Sequence, residues 1–145
     1  MFIKTSIDIA ASPGRVWPLL GRARLEGTCL LERWVPVPRE CRLSEDGRAR
    51  ECLTSRGRIR QRVTRATPER ELAFEMVSED VGLSWLLTSM DDRFVVERVG
   101  ALTRLTRVSR VQPRCAAAGW ILRWAIPRIH RYVHARFKRL AETGA

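Results

Sequence analysis

His130 and His134 stand four residues apart in "RIHRYVHARF", the spacing that sets two side chains on one face of a helix and that metal-binding helices use. A zinc site requires three or four ligands, and the chain offers neither an HExxH pattern nor another companion motif. No metal is expected, and the two imidazoles are read as partly exposed helix histidines. Should either point inward, an acid or base able to work near neutral pH becomes available. Asp91 and Asp92 are neighbours on an expected strand, so their carboxylates leave on opposite faces and cannot act as a pair. With no nucleophile elbow, no phosphate-cradling glycine loop and no triad, no reaction is assigned and no cofactor is expected.

Cys29, Cys41, Cys52 and Cys115 lack CxxC spacing, which argues against a zinc ribbon or a thioredoxin motif. "RLSEDGRAREC" reads as a hairpin turning at Asp46-Gly47, a favoured two-residue loop, and that register sets Cys41 opposite Cys52. Counting back from Glu45 and Arg48 puts the pair at a hydrogen-bonded position, with α-carbons roughly 5.5 Å apart and side chains diverging. Two reduced, half-buried thiols are therefore expected. The compartment agrees: the opening "MFIKTSIDIAAS" has no signal-peptide pattern, and nowhere do about 18 uncharged apolar residues follow one another. These features place the chain in the cytoplasm, where thiols stay reduced.

The elements that must position these groups follow from periodicity. Ile3, Thr5, Ile7 and Ile9 alternate with polar residues as a strand with one buried face. Ser12 and Pro13 start a helix whose packed face is Val16, Trp17, Leu19 and Leu20. Gly21 ends it or begins a second short helix through "RARLEGTCLLE". Turn signals then recur at the spacing of an antiparallel meander, with strands near 39–45, 48–55, 58–66, 70–79, 86–99 and 102–112. After Pro113, Leu122, Ile126, Ile129, Val133, Phe137 and Leu140 form one apolar stripe on a long helix that Pro127 should kink or divide. The 145 residues are read as one domain, 1–145.

Net charge is +11, and all but Lys4 and Lys138 of the 27 basic residues are arginine. Such a skew reflects genome composition as readily as function, so its layout matters more. If Ala66 pairs with Glu71, then Gln61 faces Met76, Arg62 faces Glu75 and Val63 faces Phe74. Ile59, Gln61, Val63, Leu72, Phe74 and Met76 then share one face, while Arg58, Arg60, Arg62 and Glu75 share the other. "RGRIRQRVTR" is thus the solvated outside of a strand rather than a nucleic-acid motif.

The order strand, short helices, six strands, long helix, with "IDIAASPGRVWPLL", "RIRQRVTRATPERELAFEM" and the closing "FKRLAE", resembles the START-like or SRPBCC superfamily, which includes polyketide cyclase/dehydratase-like proteins. The resemblance spans essentially the whole chain. It implies an α+β helix-grip fold: a curved antiparallel sheet of about seven strands around a long C-terminal helix, with two short helices between strands 1 and 2. It further implies an apolar cavity between sheet and helix that binds a hydrophobic small molecule such as a lipid or polyketide, with cyclase or dehydratase chemistry in some members. No catalytic residue transfers, because no subgroup signature is evident.

On that reading Ile59, Gln61, Val63, Leu72, Phe74 and Met76 form the sheet wall of the cavity, and Ile129 and Val133 the helix wall. Gln61 is the polar anchor among apolar walls. Trp120 and Trp124 are either core or an aromatic clamp at the mouth, where Trp34 and Trp85 also fall. Two other function classes compete with ligand binding: an interaction module that docks the basic helix on RNA or ribosome, and a surface that meets membrane lipid through the Trp120 and Trp124 end.

Overall fold

A computed structural model describes residues 1–25 and 30–144. Eight antiparallel strands lie in the order β1-β8-β7-β6-β5-β4-β3-β2 and curve around one long helix. β1 (Phe2–Ile9) runs into α1 (Pro13–Gly21), whose first turn rests on the Ser12 carbonyl. β2 (Arg22–Arg24) follows, then a short 3-10 turn, Leu30–Arg33. The meander comprises β3 (Pro38–Leu43), β4 (Ala49–Thr54), β5 (Arg58–Thr67), β6 (Glu71–Glu79), β7 (Leu87–Val99) and β8 (Leu102–Pro113). α2 (Ala116–Thr143) closes the chain.

Three local expectations are corrected. Residues 22–24 are not helical: Ala23 is inward and pairs with Cys41, so this segment supplies an eighth strand at the sheet edge. Of the two outcomes expected at Pro127, a kink or a division, division does not occur: α2 runs as one helix of 28 residues, Ala116–Thr143, between its caps Cys115, whose sulfur accepts the Ala118 N–H, and Gly144. There φ is 75°, a conformation glycine adopts without a Cβ penalty. Third, Cys41 and Cys52 are joined in a disulfide rather than held as two thiols. The hairpin closes one pair later than expected, with Ser44 N–H donating to the Ala49 carbonyl and Gly47 N–H to Ser44. A four-residue loop reverses the parity of every pair behind it. Cys41 and Cys52 therefore occupy a non-hydrogen-bonded position, with α-carbons 4.1 Å apart and side chains that meet. Cys29 lies outside the described residues.

The β5–β6 pairs Gln61 with Met76, Arg62 with Glu75 and Val63 with Phe74 occur as expected. Nearer the turn a bulge shifts the register by one, to Arg65 with Ala73 and Ala66 with Leu72, because Pro68 and Glu69 make a tighter turn in which Glu69 takes φ 61°. On the outer face Arg62 pairs with Glu75, while Arg58 and Arg60 reach Glu51, so the basic strand is answered locally.

The two larger of three apolar clusters among the described residues fill most of the concave side, the third being Val35, Val37 and Ala125. One gathers α1, the C-terminal half of α2 and the strands beneath them, with Phe74, Phe94 and Phe137 in ring contact. The other joins Leu122 and Ile126 to Ile3, Leu83, Leu87 and Val111.

Candidate functional site

Between these clusters the inward alternation of almost every element is interrupted by a polar residue. β1 points Ile3, Thr5 and Ile9 inward, and β8 points Leu105, Arg107, Ser109 and Val111. β7 contributes Phe94 and then Asp92, β5 contributes Gln61, and β4 contributes Arg50 and Cys52. On α2 the stripe passes from Ile126 through His130 to Val133, His134 and Phe137. A belt of polar side chains thus crosses the concave face from β1 to β4, closed on both sides by hydrocarbon. Such groups persist in an interior only when they are hydrogen-bonded to one another.

The bonds fix a direction for most of the belt. Asp92, 4% exposed, accepts from Arg107 Nε at 3.1 Å and from the Ser109 hydroxyl through the same Oδ1. A carboxylate only accepts, so Ser109 donates there and its oxygen receives the proton of His130 Nε2 at 2.8 Å. His130 Nδ1 is then an acceptor, filled by the Thr5 hydroxyl at 2.9 Å. The chain Thr5, His130, Ser109, Asp92 is therefore polarised from β1 toward the cavity, and the neutral Nε2–H tautomer of His130 is the one it accommodates.

The two histidines are not exposed, as the bare spacing had suggested, but each 1% exposed, with rings 6.2 Å apart. Burial first, then the Arg107 charge and the neighbouring ring, pull His130 down to about 2. Burial and Arg107 pull His134 down to about 3. Both are neutral at neutral pH, and His134 Nε2 has no hydrogen-bond partner among the described residues. Arg50 is 4% exposed, and burial, with the Arg107 charge adding, lowers it to about 9, opposed by Asp92. It remains a cation at neutral pH.

A cavity of about 90 Å³ lies against this belt. Arg50, Gln61, Asp92 and Arg107 line its polar end, and Ile59, Met76, Leu122, Ile126, Ile129 and Val133 are among its apolar walls. Of the residues expected at a cavity, Ile59, Gln61, Met76, Ile129 and Val133 are brought together here. Val63, Leu72 and Phe74 share the concave face but lie in the packed cluster around Phe94, outside the cavity lining. Val35, Leu86 and Ile121 line both the cavity and an open groove formed with Trp34, Trp85, Trp120 and Trp124. These four indoles are 74%, 64%, 81% and 46% exposed, so core packing does not describe Trp120 and Trp124.

Sequence reasoning passed over Arg50, Arg107 and Ser109, and considered Asp92 only as half of a carboxylate pair with Asp91. The signal for two of them was present in β8: at the parity of Leu105 and Val111, a strand bounded by apolar residues carries an arginine and a serine.

The sequence matches, over residues 3–144, the family described as polyketide cyclase / dehydrase and lipid transport. Among solved structures, a START superfamily protein from Mycobacterium smegmatis superposes with a TM-score of 0.71 at 13% identity, over 99% of each chain. The Zhui aromatase/cyclase from a Streptomyces species gives 0.70 at 14% identity, over 100% of this chain and 98% of that one. XoxI from Bacillus cereus gives 0.65 at 21% identity, over 97% and 92%. At such identities the likeness is one of fold. No protein of curated function matches the chain in sequence.

Proposed function

The chain belongs to the polyketide cyclase / dehydrase and lipid transport family, and from that premise we propose that it binds a hydrophobic small molecule between the sheet and α2. The observation that carries this reading is an apolar cavity with a polar end that shares three of its lining residues, Val35, Leu86 and Ile121, with a groove open to solvent. Pockets that combine many apolar walls with a few polar groups are the usual form of a small-molecule site. A cyclase-like reaction on that ligand would have Asp92 as its base and the Arg50 and Arg107 guanidiniums as donors to a developing oxyanion.

Native mass spectrometry of the protein purified from its own host, followed by organic extraction, tests the reading. A defined apolar compound at near-stoichiometric occupancy is expected. Met76→Arg, which sets a charge on the cavity wall, should lower that occupancy at least about tenfold, since a buried unpaired cation repels hydrocarbon. A folded Met76→Arg protein that carries the same compound at the same occupancy would refute it.

A second reading, contact with an anionic membrane surface, is favoured by the exposed indoles. Three of the four are accompanied by arginine: Arg128 lies 4.4 Å from the Trp124 ring, Arg114 bonds the Ser84 carbonyl beside Trp85, and Arg56 bonds the Arg33 carbonyl beside Trp34. Indoles settle at the lipid interface and arginines attract acidic head groups. Cosedimentation with phosphatidylcholine vesicles containing phosphatidylglycerol is expected, and Trp120→Ser/Trp124→Ser should weaken it roughly tenfold. Equal sedimentation of the double variant, or binding to RNA alone that high salt removes, would reject this reading. No helix among the described residues is long and apolar enough to cross a membrane.

A further inference from the structure

The polar end of the cavity carries an unbalanced charge. Arg107 and Asp92 form one ion pair at 3.1 Å, with both side chains nearly inaccessible. The Asp92 Oδ1 that receives Arg107 also receives Ser109. Arg50 is the second guanidinium, and every contact it makes is to a neutral group. Its Nε donates to the Leu20 carbonyl at 3.3 Å, and its Nη1 donates to Gln61 Oε1 at 2.8 Å and to the disulfide sulfur of Cys52 at 3.1 Å. The rings of Phe74 and Phe94 lie 4.5 and 6.0 Å from its central carbon. Nη2 makes no hydrogen bond among the described residues, and no carboxylate lies within ion-pair distance of any of its nitrogens. With His130 and His134 neutral, two cations and one anion are buried together.

A cation held nine-tenths buried without a counter-charge is costly, and a fold that keeps one usually gives it a charge to meet. The residues around Arg50 hold it rather than neutralise it: three acceptors and a stacked ring fix a guanidinium at the cavity wall with one nitrogen uncommitted. We infer that the ligand carries a single anionic oxygen group, a carboxylate or a group of comparable charge, that pairs with Arg50 at the inner end of the cavity. One negative charge is the number that balances the site. The small interior, about 90 Å³, suits a head group, with the apolar body extending past Ile121 into the tryptophan groove. This rests on the ligand-binding reading above and adds the ligand's charge and orientation to it.

The test uses two fluorescent probes with the same aromatic body, N-phenyl-1-naphthylamine, which is neutral, and 1-anilinonaphthalene-8-sulfonate, which bears one anionic group. Titrations in 0.5 M salt screen the exposed arginines, since screening there acts within about 4 Å whereas a buried pair is largely spared. The full-length protein should bind the sulfonate about tenfold or more tightly than the amine, the return expected of a charge-assisted bond out of water. Arg50→Met should abolish that preference, so that the sulfonate binds no more tightly than the amine. Arg50→Lys, which keeps the charge but not the fork, should retain part of it. Because Met replaces a buried charge by hydrocarbon of similar length, melting of Arg50→Met is expected at or above the wild-type temperature, which separates lost recognition from lost folding. Equal affinity for the two probes, or a preference that survives Arg50→Met, would overturn the anionic head group and leave the cavity standing. Failure of both probes to bind would remove the ligand-binding reading and this inference with it.

Discussion

Between pH 7 and pH 4.5 the protein is expected to lose roughly 5 kcal/mol of stability through its two buried histidines. Both buried histidines have folded-state values, about 2 and about 3, far below the ordinary 6.5. The sign follows from which state binds the proton. Above pH 6.5 neither state is protonated at these positions and they contribute nothing to the pH dependence. As pH falls below 6.5 the unfolded chain takes up two protons that the folded chain refuses, so stability drops until pH reaches the folded values. Each histidine gives a slope of about 1.4 kcal/mol per pH unit, and two units of acidification remove roughly 5 kcal/mol for the pair. That is a large part of the 5–15 kcal/mol typical of a domain. The Arg107 charge opposes protonation of both rings, while Asp92, which favours it, reaches His130 only through Ser109. Thermal melts from pH 7.5 to 4.5 should therefore slide by about 10–20 °C, taking about 2–4 °C per kcal/mol at this size. His134→Leu should halve the slope and, by removing an unpartnered buried nitrogen, leave the pH 7.5 melting point no lower. An unchanged slope in His134→Leu would mean that the ring is protonated in the fold, and the burial-driven account would fail.

Periodicity was enough for the framework because each strand has one wet face and the long helix one dry stripe. Charge and hydrophobicity then fixed the central β5–β6 pairs, where Arg62 with Glu75 and Val63 with Phe74 agree on a single register. Turns were less legible. Asp46-Gly47 favours a two-residue loop, but Asp46 Oδ1 accepts both the Ser44 hydroxyl and the Arg48 N–H, and this local network organises a four-residue loop instead. One step of parity converted two diverging thiols into a disulfide. The polar belt was harder still, because composition favours reading an arginine or aspartate as exposed. Asp91 and Asp92 were correctly placed on opposite faces, yet nothing in that dipeptide says which faces inward. The answer depends on the partner strand: Asp92 lies opposite Ser109 in the β7–β8 ladder, and Ser109 lies at the parity of Leu105 and Val111. The histidine spacing likewise identified a shared face without saying that the face is buried. Only the closing of the sheet over α2 buries the pair.

The belt's dependence on a single carboxylate leads to the second large effect. Asp92→Asn keeps the shape of the side chain and removes the only negative charge lining the cavity among the described residues. Arg107 and Arg50 then share a hydrocarbon-walled space with neither paired, and breaking a buried pair in this way costs about 3–5 kcal/mol. Melting should fall by roughly 10 °C at pH 7.5. If the loss is due to the stranded cation, Asp92→Leu/Arg107→Met should recover most of it, because taking both partners out of a buried pair is often neutral or better. A double variant as unstable as Asp92→Asn would instead assign the cost to Ser109 and the hydrogen-bond chain behind it. The same variant carries a functional sign. With two guanidiniums and no resident anion, Asp92→Asn should bind 1-anilinonaphthalene-8-sulfonate more tightly than the unaltered protein does, even as its fold weakens. Stability and anion affinity moving in opposite directions is the signature of a site whose positive charge is kept for a ligand. A parallel loss of both would mark the belt as a purely structural network.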